Sequence, residues 1–249
     1  MIIDVQACFK TSPASRSPQE VLVLVGRIAE ELNPLHAMMR KWYTMPGGPR
    51  ERVVPLEERH AVIEVMEKDV EKSRRALGDF PGLGASLMIS NVGRSSDWRN
   101  PGLVVLDLNP TTGFHRLRMG GLEAFGEEFS VLMLRAFVIL VEALNPAFAN
   151  VDVKARSFEK VLVDYQLDRR LYQHREFFGW MGFVPAQITH AQIPDAHAVH
   201  PVDGLGTVIV SVPGVFDPTD DAQVDKVHRV EMDLASYDLL PVTDPNLKG

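Results

Sequence analysis

Side chains able to do chemistry are few in this sequence and far apart. Asp195, His197 and His200 lie within six residues and offer a carboxylate and two imidazoles, the donors that a divalent metal takes in a hydrolase. Pro194 and Pro201 bracket them and predict a loop, where a histidine is ordinarily a surface residue. Asp152-Val153-Lys154, on a predicted strand, has the acidic-x-lysine spacing of restriction-type nucleases, in which a carboxylate holds Mg²⁺ and the lysine steadies the attacking water. That chemistry needs a second carboxylate upstream and a basic groove for the duplex. The nearest candidate is Asp107, 45 residues before Asp152, and the charge of the region is balanced. Cys8 sits in a run, 2–9, that reads as a strand, so it is expected to be a small buried hydrophobe rather than a nucleophile. A single cysteine excludes any disulfide framework.

Other catalytic signatures are missing. The chain has no phosphate-loop motif, no Gly-x-Ser-x-Gly elbow, no His-Glu-x-x-His and no paired cysteines. Gly204-Leu205-Gly206 lacks the third glycine of a dinucleotide turn, because Ile209 occupies its place. The expectation is therefore a protein that binds rather than catalyses, with no cofactor and no resident metal. A metal-dependent hydrolase using Asp195, His197 and His200 stays as the alternative.

Charge narrows the class of partner. The net charge is −7, and it is uneven: residues 1–80 carry twelve basic and twelve acidic side chains, residues 81–189 eleven of each. The last sixty hold three basic residues against ten acidic ones, among them Asp217, Asp220, Asp221 and Asp225. Such a segment repels polyanions and attracts a basic protein, or else it is a solvated face that aids solubility. Aromatic residues beside charges, a mixture favoured at interfaces, occur at Trp42-Tyr43, at Trp98 and at 177–180. The opposing reading puts Trp42, Phe177, Phe178 and Trp180 in the core. The polar loop 91–102 around Trp98 offers little core to enter.

The positioning elements follow from periodicity and breakers. With 45% hydrophobic residues and 249 positions, the chain is long enough to bury one core without staples. Ser17-Pro18-Gln19-Glu20 is a capping box with proline at the first helical position, and Val21, Leu24, Val25, Ile28 and Leu32 form one stripe behind it. Asn33-Pro34 stops that helix. A second, amphipathic helix is predicted over 56–77 with Glu64/Lys68 and Glu71/Arg75 pairs, then a break at 78–84. Strands are predicted at 85–91 and 103–108, the latter central because it is apolar throughout. The most apolar helix spans 123–144 and ends in Asn145-Pro146; a strand follows at 149–154, and 158–178 fits either state. A strand at 208–212 and a helix over 217–234 complete the reading.

The fold class expected is α+β, an antiparallel or mixed sheet packed with helices, as one domain over 1–249. Leu32-Asn33-Pro34 and Leu144-Asn145-Pro146 are either marks of two similar halves, 1–80 and 81–155 with a C-terminal region 156–249, or two uses of a good helix stop. The N-terminus has no signal-peptide pattern, which points to the cytoplasm. The longest apolar run, 131–144, is interrupted by Arg135 and Glu142 and falls short of a membrane span.

Three stretches together resemble the immunity protein 52 family of bacterial polymorphic-toxin systems. They are Leu32-Asn33-Pro34 with Trp42-Tyr43 after it, Phe178-Gly179-Trp180-Met181-Gly182-Phe183, and 204–210 leading to a helix that ends near Leu239-Leu240-Pro241. Residues 6–17 lack the aromatic-rich opening of that family. The resemblance implies an antitoxin that neutralises a cognate toxin with a restriction-endonuclease-like domain, frequently delivered by type VI secretion. Asp217, Asp220, Asp221 and Asp225 would then face a cationic substrate channel, with Trp98 or Trp42 as an apolar anchor and no direct contact to nucleic acid or membrane. A secretion-system adaptor is the remaining alternative.

Overall fold

The computed structural model describes residues 2–45, 52–78, 82–156 and 162–247. In chain order the elements are β1 (Ile2–Lys10), α1 (Pro18–Leu32), β2 (Tyr43–Thr44), α2 (Arg59–Leu77), β3 (Leu87–Ser90), β4 (Leu103–Asn109) and β5 (Phe114–Gly120). They continue with α3 (Phe129–Leu144), β6 (Phe148–Arg156), β7 (Leu162–Asp164), β8 (Met181–Val184), β9 (Ala198–Val202), β10 (Gly206–Val210) and α4 (Asp221–Ser236). All ten strands share one sheet, ordered β2-β3-β4-β5-β1-β6-β8-β10-β9, with β7 attached to β6. Every ladder between these strands is antiparallel. The fold is α+β, and of the two sheet types expected it is the antiparallel one.

Local chemistry explains the helix boundaries. Ser17 caps α1 reciprocally: its hydroxyl accepts from the Glu20 amide at 3.3 Å while the Glu20 carboxylate accepts from the Ser17 amide at 2.8 Å. Helix α3 starts at Phe129, six residues later than periodicity suggests, because Gly126 takes φ 78° and residues 122–125 close into a 3₁₀ turn. Asn145 ends α3 in the left-handed conformation at φ 46°, whereas Asn33 ends α1 in the right-handed one at φ −50°. Two like sequences thus make two unlike stops. Segments 1–80 and 81–155 also interleave, since β1 lies between β5 and β6. Of the ion pairs expected on α2, Glu71–Arg75 forms at 3.0 Å, while Glu64 meets His60 at 3.4 Å. The Gly47-Gly48 turn, residues 79–81 of the predicted break and 157–161 lie outside the described residues.

Side chains alternate across the sheet and divide the core in two. Val5, Ala7 and Phe9 of β1, Val151 and Val153 of β6, and Val208 and Val210 of β10 join the larger cluster with α1, α2 and α3. Phe148, Val184 and Ile209 point to the other face, where they pack against Val230 and Leu234 of α4. Three helices therefore pack on the larger cluster, and α4 reaches both, with Val224 and Val227 in the larger one. Trp42, Phe177, Phe178 and Trp180 are all buried, as the core reading expects.

Pro194 and Pro201 do not enclose a loop throughout. Residues 198–202 form β9, the last strand of the sheet, with Pro201 opposite Thr207. An edge strand is where a sheet tolerates proline, since one side of it has no ladder to donate to.

Candidate functional site

Asp217, Asp220, Asp221 and Asp225 are gathered at the start of α4. Asp220 is its N-cap, accepting from the amides of Ala222 at 2.9 Å and Gln223 at 3.4 Å. Capping holds its carboxyl below the usual range, the side-chain hydrogen bond from Gln223 contributing most. Asp217 closes the preceding turn, accepting from the Thr219 amide at 2.9 Å and hydroxyl at 2.7 Å. Asp221 pairs with Arg169, and Asp225 is exposed.

Arg169 belongs to a π-helical turn, Tyr165–Arg169, that follows β7 and lies against α4, where His228 Nε2 meets the Arg169 carbonyl at 2.7 Å. The turn leaves Leu167 74% exposed, two residues before the arginine that pairs with Asp221. An exposed apolar side chain on a segment that also carries charge is a feature of protein-binding patches.

Beneath the patch runs a buried polar network. Asp152 Oδ1 accepts from the Gln166 amide at 3.1 Å, and Lys154 Nζ lies 3.7 Å from Asp152 Oδ2 and 2.6 Å from Asp164 Oδ2. Burial, reinforced by the Asp164 charge, pushes the Asp152 carboxyl up to about 6. On α4, Glu231 Oε1 accepts from the amides of Phe178 at 2.7 Å and Gly179 at 3.3 Å and from the Tyr165 hydroxyl at 3.0 Å. Burial raises the pKa values of Glu231 and Tyr165. Two side chains thus tie α4 and the π turn to the sheet.

Trp98 is half-buried in a 3₁₀ turn, Ser95–Arg99, between β3 and β4. Pairing carries that loop to the same end of the sheet as the patch: Leu103 lies opposite Gly120, Gly120 opposite Asp4, Asp4 opposite Lys154, and Lys154 opposite Asp164. Four strand spacings, roughly 20 Å, separate them. Trp42 offers a partner no surface. It is 2% exposed, with Nε1 donating to Asn33 Oδ1 at 3.0 Å.

Asp195 and the two histidines do not converge. The Asp195 carboxylate accepts from Arg229 Nε of α4 at 2.9 Å, while His197 and His200 line a hollow on the α3 side of the sheet. Among the described residues no three metal-ligating side chains come together. Asp107 pairs across the ladder with Arg116 at 2.6 Å, and the lysine of the acidic-x-lysine motif is held by Asp164 instead. Burial raises the Cys8 thiol to about 11, and Gly204-Leu205-Gly206 turns the β9–β10 hairpin. No helix among the described residues is long and apolar enough to cross a membrane.

Sequence reasoning missed Leu167, Arg169 and Glu231. Glu231 carried a signal, since it falls on the stripe of Val224, Val227 and Leu234 that α4 buries. Leu167 carried none, because its segment has no single period.

No protein-family model matches the chain, and no curated protein is similar to it in sequence. Among solved structures, the fold is similar to that of the Pseudomonas aeruginosa T6SS protein PA0821, with a TM-score of 0.50 and 12% identity over 92% of this chain and 72% of that one. At this identity the likeness concerns the fold.

Proposed function

We propose that the chain is an immunity protein associated with type VI secretion, which binds and neutralises a cognate nuclease toxin in the cytoplasm. The observation carrying this reading is the cluster of Asp217, Asp220, Asp221 and Asp225 at the start of α4, tied by the Asp221–Arg169 pair to the turn that carries exposed Leu167. A nuclease must present a cationic channel to its substrate, and an acidic protein surface is steered into such a channel over distances at which uncharged contacts have no effect. The resemblance to the immunity protein 52 family and the fold shared with a T6SS protein support the same direction. Inhibition is stoichiometric and needs no catalytic step or cofactor. Leu167 replaces Trp42 as the central anchor, and Trp98 meets the toxin at the periphery of an interface of about 1,600 Å² in total.

The test is co-expression of the neighbouring reading frame with and without this chain. Growth arrest relieved by the chain is the expected result; a neighbouring product that binds without toxicity favours the adaptor reading. The charge model is tested separately with the Asp221→Lys/Asp225→Lys pair. Both positions leave the cap at Asp220 and the turn at Asp217 intact. Association with the toxin at low salt should slow by about tenfold or more. An unchanged rate removes the acidic patch from the interface.

A further inference from the structure

We propose that the groove between α3 and the free edge of β9 receives an extended basic segment of a partner protein, added to the sheet as a further strand. The groove, of about 810 Å³, has Leu134, Val138 and Ile139 of α3 as one wall and His200, Pro201 and Val202 as the other. A hollow of about 250 Å³ continues it past His197 and Ala198 to Trp180, and the two share Leu134 and His200. A cleft confined to one face of a sheet is lined by alternate residues of a strand. Here consecutive residues line it, His197 with Ala198 and 200–202 in succession, so the cleft follows the edge of β9 as well as its face.

That edge pairs with no strand among the described residues, and Pro201 is the one strand-blocking residue within β9. Backbone groups point alternately to the two sides of a strand, so those of 198–200 that β10 does not use are open to a second chain, the arrangement on which strand addition depends. Charge selects the occupant. Among the described residues, Glu31, Glu142 and Asp203 stand around the groove without an ion pair, against one cation in its lining, Arg135. Aliphatic side chains of an incoming strand fill the apolar wall, and lysine or arginine between them meets the three acids. No residue of α4 lines the groove, so this inference does not depend on the acidic patch binding a toxin.

The probe is a displayed library of random heptapeptides, panned against the intact protein. Enrichment of sequences alternating aliphatic residues with Lys or Arg is expected, with slowed hydrogen exchange on binding at the amides of 198–200 that face away from β10. Two variants check the site, Val138→Glu for the wall and the surface pair Glu142→Lys/Asp203→Lys for the rim. Each should weaken the selected peptide by about tenfold or more, and the surface pair does so without touching the core. Absence of enrichment, selection of acidic or helically spaced peptides, or equal affinity in both variants overturns the proposal. So does sedimentation as a dimer with the amides that face away from β10 already protected, which would make the occupant a second copy.

Discussion

Glu231 stands in the middle of a helix stripe otherwise built from valine and leucine, and its Oε1 is the acceptor for three donors. Replacing it with glutamine keeps an acceptor at that point; replacing it with alanine leaves two amides and a hydroxyl buried and unpaired. Glu231→Gln should therefore alter unfolding free energy by less than about 1 kcal/mol and Glu231→Ala by about 3 kcal/mol, as read by urea denaturation. Asp152 responds to pH. Its folded pKa of about 6 is above the ordinary aspartate value of 3.8, so the protonated carboxyl is what the fold prefers. Its stabilising contribution is complete below pH 4 and is lost as pH rises through 6. Asp152→Asn, which keeps the acceptor for Gln166, should flatten the stability profile between pH 4 and 7. At pH 8 the variant should gain up to about 3 kcal/mol on wild type. An unchanged profile in the variant would mean that Lys154 fully compensates the charge.

Among the elements, β8 and β10 approach so closely that Gly206 has no room for a side chain: an added Cβ would lie 2.2 Å from the Val184 carbonyl oxygen. Gly206→Ala should cost about 3 kcal/mol or more, because the strands must separate to admit it. Gly26, inside α1, meets nothing nearer than 4.0 Å, and Gly26→Ala should instead raise stability by about 0.5–1 kcal/mol. Thermal unfolding of the two variants checks both signs. The contrast also indicates which elements could be read in advance. Helix α1 and strand β4 were legible because their signals are local: a capping box, an Asn-Pro stop, an unbroken apolar run. Strands β5, β8 and β9 were not. His115, Arg116 and Arg118 make β5 look polar, since its outer face exchanges charges with Asp107 and Asp4; β8 is four residues long; and β9 contains Pro201. The aspartates of the candidate site were visible because they are neighbours in sequence. Leu167, Glu231 and the Asp152–Lys154–Asp164 group became a site only through pairing between β6, β7 and α4, which no local pattern encodes.

Over the whole molecule, one continuous sheet joins both core clusters, so neither can come apart without exposing the other. Urea unfolding followed by far-ultraviolet dichroism and by tryptophan fluorescence should therefore give coincident midpoints. Trp42 and Trp180 both report from the larger cluster while dichroism follows the whole chain, so separated midpoints would mean two independently folding parts. Strand β1 makes this unity demanding during synthesis. It is the first strand made, yet its partners are β5 and β6, and β6 is complete only at Arg156. At translation speeds of about 5–20 residues per second, Val5, Ala7 and Phe9 wait on the order of ten seconds for the second of those neighbours. Through that interval the nascent chain carries an unpaired apolar strand near the ribosome, and a chaperone able to shield it should raise the yield of folded protein.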